Sequence, residues 1–222
     1  MNVRLFVFDL DGTLVDSLRD LASSASALLA QCGGRPLAED EVAAMVGEGA
    51  ATLVARAFAA VAVTPPADAL ARFLAIYDTR LLDHTRAYDG MPAVLEALGA
   101  AASLAVLTNK PRAATVRILN GLQLGQFFAD DAIIGGDGPL PRKPDPAGLA
   151  HLCAWAGAGA DETVMVGDSA VDWRTARALG TRIGLARYGF GFREFPQAEL
   201  RGDEILLDRP ADLLAASRSG RL

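Results

Sequence analysis

Asp9 and Asp11 stand two residues apart at the end of a short apolar run, Phe6-Val7-Phe8-Asp9-Leu10-Asp11-Gly12-Thr13-Leu14. Residues 3–8 are apolar except for Arg4 and read as a buried strand of a parallel sheet. Along an extended chain, residues i and i+2 point to one side. The two carboxylates therefore project together, with Leu10 turned away. Carboxylates held this close repel, and a chain that keeps both supplies a cation or shares a proton between them. Gly12 lets the backbone turn closely past a ligand and frees amides to face an anion.

Two later apolar runs end in polar residues of a similarly restricted kind. Residues 103–107 end at Thr108-Asn109-Lys110, and residues 163–166 end at Gly167-Asp168-Ser169, with Asp172 close behind. A further segment, Arg142-Lys143-Pro144-Asp145-Pro146, puts Lys143 just before a helix start, a place suited to anions. Asp9, Asp11 and Asp168 are hard oxygen donors with no cysteine or histidine among them. Such a set suits Mg²⁺, which binds through one or two carboxylates plus substrate phosphate. An aspartate can attack phosphorus, and a second carboxyl can protonate the leaving oxygen and later take a proton from water. Thr108, Asn109 and Lys143 would hold the phosphoryl oxygens, since positioning and charge neutralisation supply most of the catalysis in phosphoryl transfer. Of 21 basic residues only Lys110 and Lys143 are lysines, and both fall in these segments. A compact ammonium differs from an arginine fork, so these positions read as needing one for a phosphate oxygen, unless the coincidence is accidental.

These segments converge only if the elements carrying them share a sheet. Strands are predicted at 103–107, 131–134, 163–166, 181–185 and 204–207, with helices at 91–100, 111–120, 146–156, 170–179 and 211–216. This alternation means a doubly wound α/β parallel sheet, in which ligands bind outside the carboxyl ends of the strands. Between the first strand and 103–107 lie about 90 residues, whereas a simple crossover needs a dozen or a little more. Helical periodicity at 17–32, 39–46, 50–61 and 67–82 fills most of that gap. The chain is therefore expected to divide into an α/β core, 1–16 and 85–222, and an inserted all-helical cap, 17–84, that opens and closes over the site. In the insert, Gly47-Glu48-Gly49 reads equally well as an inter-helix turn or as a loop that selects substrate. The tail, 217–222, is expected to fray.

Composition narrows the partners. The net charge of −6 carries no strongly basic face, which argues against nucleic acid and means an anionic substrate needs local positive charge. No run approaches the roughly 18 apolar residues of a membrane span. The N-terminus enters a strand with no signal-peptide pattern, and the two cysteines, Cys32 and Cys153, read as free thiols. A cytoplasmic protein is expected, of unknown oligomeric state. His84, His151, Trp155 and Trp173 read as structural, and Arg56 as part of a solvated helix face.

Taken together, Asp9-Leu10-Asp11-Gly12-Thr13, Thr108-Asn109, Lys143-Pro144 and Gly167-Asp168 with Asp172 resemble, in order, the four motifs of the haloacid dehalogenase superfamily of phosphatases. The insert looks like that superfamily's mobile cap. Val46-Gly47-Glu48-Gly49, residues 51–58 and Gly189-Phe190-Gly191 look most like phosphoglycolate phosphatases. The resemblance implies Asp9 as nucleophile and Asp11 as general acid/base. It implies Mg²⁺ held by the Asp9 side chain, the Asp11 carbonyl and Asp168, with Asp172 reaching the metal through water or orienting a ligand. The expected function is a Mg²⁺-dependent phosphatase of a small phosphorylated metabolite, leaning to phosphoglycolate, through an aspartyl-phosphate. The alternatives are a phosphosugar mutase on the same scaffold, similar to beta-phosphoglucomutase, and a catalytically silent phosphate-binding protein.

Overall fold

A computed structural model describes residues 3–219. In chain order its elements are β1 (Leu5–Phe8), β2 (Val15–Asp16), α1 (Leu18–Gln31), α2 (Glu39–Ala43), α3 (Ala50–Ala60), α4 (Ala69–Asp78), β3 (Arg86–Ala87), α5 (Met91–Gly99), β4 (Ser103–Leu107), α6 (Arg112–Gly121), β5 (Ile133–Ile134), α7 (Ala147–Ala156), β6 (Thr163–Gly167), α8 (Ala170–Leu179), β7 (Arg182–Ala186), β8 (Ile205–Leu207) and α9 (Ala211–Arg218). Six strands form one sheet in the order β5-β4-β1-β6-β7-β8, and every pairing is parallel. The doubly wound sheet expected from the alternation is present. β5 is shorter than predicted because Asp130–Ala132 winds into a 3₁₀ turn. The predicted tail is also shorter: α9 carries Ser217 and Arg218, and residues 220–222 lie outside the described residues.

Burial on both faces explains why β1 shows no polar alternation. Phe6 and Phe8 face one side with Leu104, Val106, Val164 and Val166, while Leu5 and Val7 face the other with Ala105, Leu107 and Met165. All four β1 residues are shielded from water, as a central parallel strand requires. Burying each phenylalanine contributes roughly 2–3 kcal/mol. Strand order then sets the site. From β1 the chain goes to β4 and β5 on one side, and returns through β6, β7 and β8 on the other. Such a reversal opens a crevice at the carboxyl ends of the strands where the order switches. Phe8 pairs with Val106 and Val166, so Asp9, Thr108 and Asp168 emerge at nearly one level.

Helices α1–α4 all fall between β1 and β3. They share one apolar cluster with the β1 face through Leu28, Phe58 and Phe73. The two chain crossings into and out of this helical stretch are joined twice. β2 pairs antiparallel with β3, Asp16 opposite Arg86. Just beyond, the fully buried Asp20 carboxylate accepts from the amides of His84 and Thr85, from Thr85 Oγ1 at 2.7 Å, and approaches His84 Nδ1 at 2.9 Å. Burial alone would raise the Asp20 pKa, but these donors outweigh it and hold it below the ordinary carboxylate range.

The remaining single residues behave as the sequence suggests. Cys32 and Cys153 are free thiols. Trp173 is buried and donates to Glu204 at 2.8 Å. No helix among the described residues is long and apolar enough to cross a membrane.

Candidate active site

The carboxyl ends of β1, β4 and β6 open into a cavity of about 400 Å³ roofed by α1, α3 and α4. Asp9, Asp11, Thr108, Asn109 and Asp168 all line it. The strand-end segments, far apart in sequence, are therefore brought to one mouth.

Two separate charge clusters occupy that mouth. In the first, oxygens of Asp9, Asp168 and Asp172 lie within 4.8 Å of one another, all buried. Lys143 Nζ sits among them, 2.9 Å from Asp9 Oδ1 and 2.6 Å from Asp172 Oδ1. The Asp9 approach lies off the hydrogen-bonding direction, leaving buried Asp9 Oδ1 with no hydrogen-bond donor. Burial pushes the Asp9 carboxyl up to about 6, against the pull of Lys143 and with the push of Asp172. Burial, Asp172 and Asp9 likewise push Asp168 well above its ordinary value. Three carboxylates against one ammonium leave two negative charges when all are ionised. An orphaned buried oxygen and an uncompensated double charge fit a divalent cation. Asp168 also accepts from the Gly191 amide at 2.8 Å, which orients it.

Asp172 departs from a simple ligand. One of its oxygens is taken by Lys143, and the other by the Ser169 amide and hydroxyl at the start of α8. It caps its helix and holds Lys143, so of the three acids it is the one whose oxygens are already engaged.

In the second cluster, the Asp11 carboxylate points away from the first. Lys110 Nζ is 3.0 Å from both its oxygens, and Ser17 Oγ donates to Oδ1 at 2.5 Å. Asp9 and Asp11 thus each have a lysine of their own. Lys110 also donates to the hydroxyl of Tyr77, on α4, at 2.7 Å. Burial pulls the Lys110 ammonium down, but Asp11 and Tyr77 pull harder and hold it above its ordinary range. Burial pushes the Tyr77 phenol up to about 12.

The backbone at Asp9–Thr13 is shaped for close approach. Gly12 has φ of 81°, a left-handed conformation, and a Cβ there would lie 1.8 Å from Asp168 Oδ2. Gly189 presses from the other side, where a Cβ would stand 2.1 Å from the Gly12 carbonyl oxygen.

Some expected contacts are spent differently. Asn109 donates both amide hydrogens to backbone, to Gly47 O and Lys143 O at 2.9 Å each. Its side chain ties the loop before α3 to the loop carrying Lys143. Thr108 is buried, and its hydroxyl accepts from the Lys110 amide at 3.3 Å. Gly47 and Gly49 line the cavity, but Glu48 does not; it pairs with exposed Arg56 at 2.6 Å. Tyr77 and Ser17 were not legible as site residues. Tyr77 sits on an apolar helical stripe, and Ser17 reads only as a helix start.

A family model described as haloacid dehalogenase-like hydrolase matches residues 6–186. The chain belongs to the haloacid dehalogenase-like hydrolase family. The resemblance carried by the four motifs is borne out, and the chain is a hydrolase with the family's α/β fold. It is 44% identical over 193 residues to a phosphoglycolate phosphatase of Rhodospirillum rubrum, covering 83% of this chain and 79% of that protein. It is 36% identical over 219 residues to phosphoglycolate phosphatase 1 of Pseudomonas aeruginosa, covering 95% and 78%. Among solved structures, a predicted phosphoglycolate phosphatase from Haemophilus somnus superposes with a TM-score of 0.88 at 31% identity, covering 98% of this chain and 99% of that one.

Proposed function

We propose that this haloacid dehalogenase-like hydrolase is a Mg²⁺-dependent phosphatase that cleaves a small phosphate monoester, phosphoglycolate foremost, through an aspartyl-phosphate. The observation that carries the reading is the double charge cluster. One carboxylate, Asp9, lies in a cation-seeking acidic group, while a second, Asp11, lines the same cavity but is held apart by its own lysine. Phosphoglycolate as the ester is supported by the names of the relatives from Rhodospirillum rubrum and Pseudomonas aeruginosa.

In this mechanism Asp9 attacks phosphorus as the bond to the leaving alcohol breaks. Asp11 gives a proton to the departing oxygen, then takes one from the water that cleaves the aspartyl-phosphate, releasing inorganic phosphate and restoring Asp9. Asp9, Asp168 and the Asp11 carbonyl would hold the cation, with Asp172 and Ser169 fixing the group around them. When bound, Mg²⁺ neutralises charge on the phosphoryl oxygens. Thr108 and Lys143 face those oxygens, and Lys143 also keeps Asp9 ionised. Asn109 contributes through its tie between the two loops. Residues 17–84 would form the cap, and the described residues of 1–16 and 85–222 the core, with β2, β3 and Asp20 as the joint between them; closure of α3 and α4 would exclude water.

The test is phosphate release from 2-phosphoglycolate, with and without Mg²⁺. Metal-dependent release that disappears in Asp9→Asn supports the reading. Metal-independent release, or full activity in that variant, refutes it.

A further inference from the structure

Tyr77 lines the cavity with a polar group that neither metal binding nor phosphoryl transfer uses. Tyr77 is almost wholly buried, and its ring stacks on Phe73 with centroids 5.9 Å apart and planes 10° from parallel. Its hydroxyl therefore has a fixed position. The hydroxyl oxygen accepts from Lys110. The three N–H groups of Lys110 are matched by the two Asp11 oxygens and this phenol. The phenol's own hydrogen finds no acceptor among the described residues. The cavity wall otherwise carries apolar side chains such as Leu21, Val46, Leu53 and Leu81; of the acids that line it, Asp11 is paired with Lys110 and Asp78 with Arg117, and Lys110 is the one cation among the described residues that line the cavity. A buried donor lacking an acceptor, beside a buried ammonium and facing a cavity, calls for an anionic acceptor from a ligand.

We infer that Tyr77 and Lys110 determine specificity by binding an anionic group on the leaving alcohol, a carboxylate that accepts the Tyr77 O–H beside the Lys110 ammonium. The inference rests on the phosphatase reading above and deepens it to esters of short hydroxy acids. Length follows from geometry. Lys110 touches Asp11, the residue assigned to the leaving oxygen, so the ester oxygen and the carboxylate are neighbours separated by one or two carbons. A longer acid would push its charge against the leucines, where desolvation opposes it. A neutral alcohol would leave the phenol hydrogen unmet.

Three phosphate monoesters test this: 2-phosphoglycolate, its carboxamide, and 2-hydroxyethyl phosphate, each with wild-type protein and Tyr77→Phe. Wild type is expected to favour the carboxylate over the carboxamide by about tenfold or more in kcat/KM, the scale of a charged hydrogen bond. Tyr77→Phe is expected to lower that ratio about tenfold, mainly through KM. An equal loss on all three esters, or no carboxylate preference in wild type, overturns the inference while leaving the phosphatase reading intact. Absence of Mg²⁺-dependent phosphate release from any of the three overturns the reading beneath it. Should Tyr77→Phe fail to fold, Tyr77→Leu takes its place in the same comparison, and a missing carboxylate preference in wild type still overturns the inference.

Discussion

Asp9→Asn should abolish turnover and at the same time make the metal-free protein more stable. The Asp9 carboxyl is almost completely buried and pushed up to about 6 from an ordinary value of 3.8. Each pH unit between those values is worth about 1.4 kcal/mol, so ionised Asp9 costs the metal-free fold about 3 kcal/mol above pH 6. The sign follows from the raised folded-state value. The cost is absent below the unfolded pKa, grows between about pH 4 and 6, and is complete above that. Asparagine removes it. The pull of Lys143 is already contained in that value, and Lys143 keeps Asp172 at 2.6 Å. A gain of about 3 kcal/mol corresponds to a rise in Tm of roughly 6–12 °C for a domain of this size. Thermal unfolding in EDTA at pH 7.5 and pH 4.5 measures this, alongside phosphate release with Mg²⁺. The variant should unfold higher than wild type at pH 7.5 and by only about a third of that margin at pH 4.5. A variant less stable than wild type at pH 7.5, or an increment equal at both pH values, would show that the Lys143 attraction outweighs desolvation and would refute the charge argument for the site.

Other perturbations probe separate parts. Mg²⁺ at about 100 times its Kd should raise Tm by roughly 5–10 °C at pH 7.5, and the gain should shrink below about pH 6 as protons compete for Asp9 and Asp168; a shift independent of pH would place the ion elsewhere. Asp11→Asn should keep that Mg²⁺ shift while slowing hydrolysis of an alkyl phosphate by about 10²–10⁴, with a smaller loss on an aryl phosphate whose leaving group needs no proton; equal losses would remove the acid role. Asp20→Ala should cost about 3–5 kcal/mol, because the amides of His84 and Thr85 lose a buried carboxylate, and calorimetry should show a matching fall in Tm. Since Asp20 has a lowered pKa, its contribution in wild type should be present above about pH 4 and lost as pH falls further. Gly189→Ala places a Cβ against the Gly12 carbonyl and Asp168, so the Mg²⁺ titration midpoint should rise about 5- to 150-fold, matching a clash of about 1–3 kcal/mol.

Strand positions were readable because β1, β4 and β6 are apolar runs that stop at polar residues, a pattern set by burial on both faces. Convergence of Asp9, Thr108 and Asp168 followed from parallel topology alone. What each side chain does there was less legible. Asn109 has the donors to hold a phosphate, yet its amide goes to Gly47 and Lys143 carbonyls, partners visible only once two loops are folded against it. Asp11 looked paired with Asp9 because alternation puts them on one side. β1 ends at Phe8 and the chain bends at Leu10, before Asp11, and Lys110, 99 residues away in sequence, claims Asp11 instead. Tyr77 was hidden by its company, since Phe73 and Leu81 make an amphipathic stripe in which a tyrosine ring reads as packing.

The scarcity of lysine has a physical account in the structure. Lys110 and Lys143 are buried, and no arginine among the described residues is. Each lysine lies between two groups from different segments: Lys143 between Asp9 and Asp172, Lys110 between Asp11 and Tyr77. An ammonium can turn its three donors toward such partners, whereas a guanidinium carries five in a plane and would leave several unmet in these spaces. The split also solves the repulsion between two aspartates so close in sequence. On the proposed mechanism, a separate ammonium for each carboxylate would let Asp9 stay in the acidic group while Asp11 serves the leaving oxygen. Lys143→Arg should therefore keep the charge and still lose most activity, because the fork cannot sit between Asp9 and Asp172 without displacing one of them. Near wild-type kcat/KM in that variant would mean that charge alone, not the shape of its donor, is what the site requires.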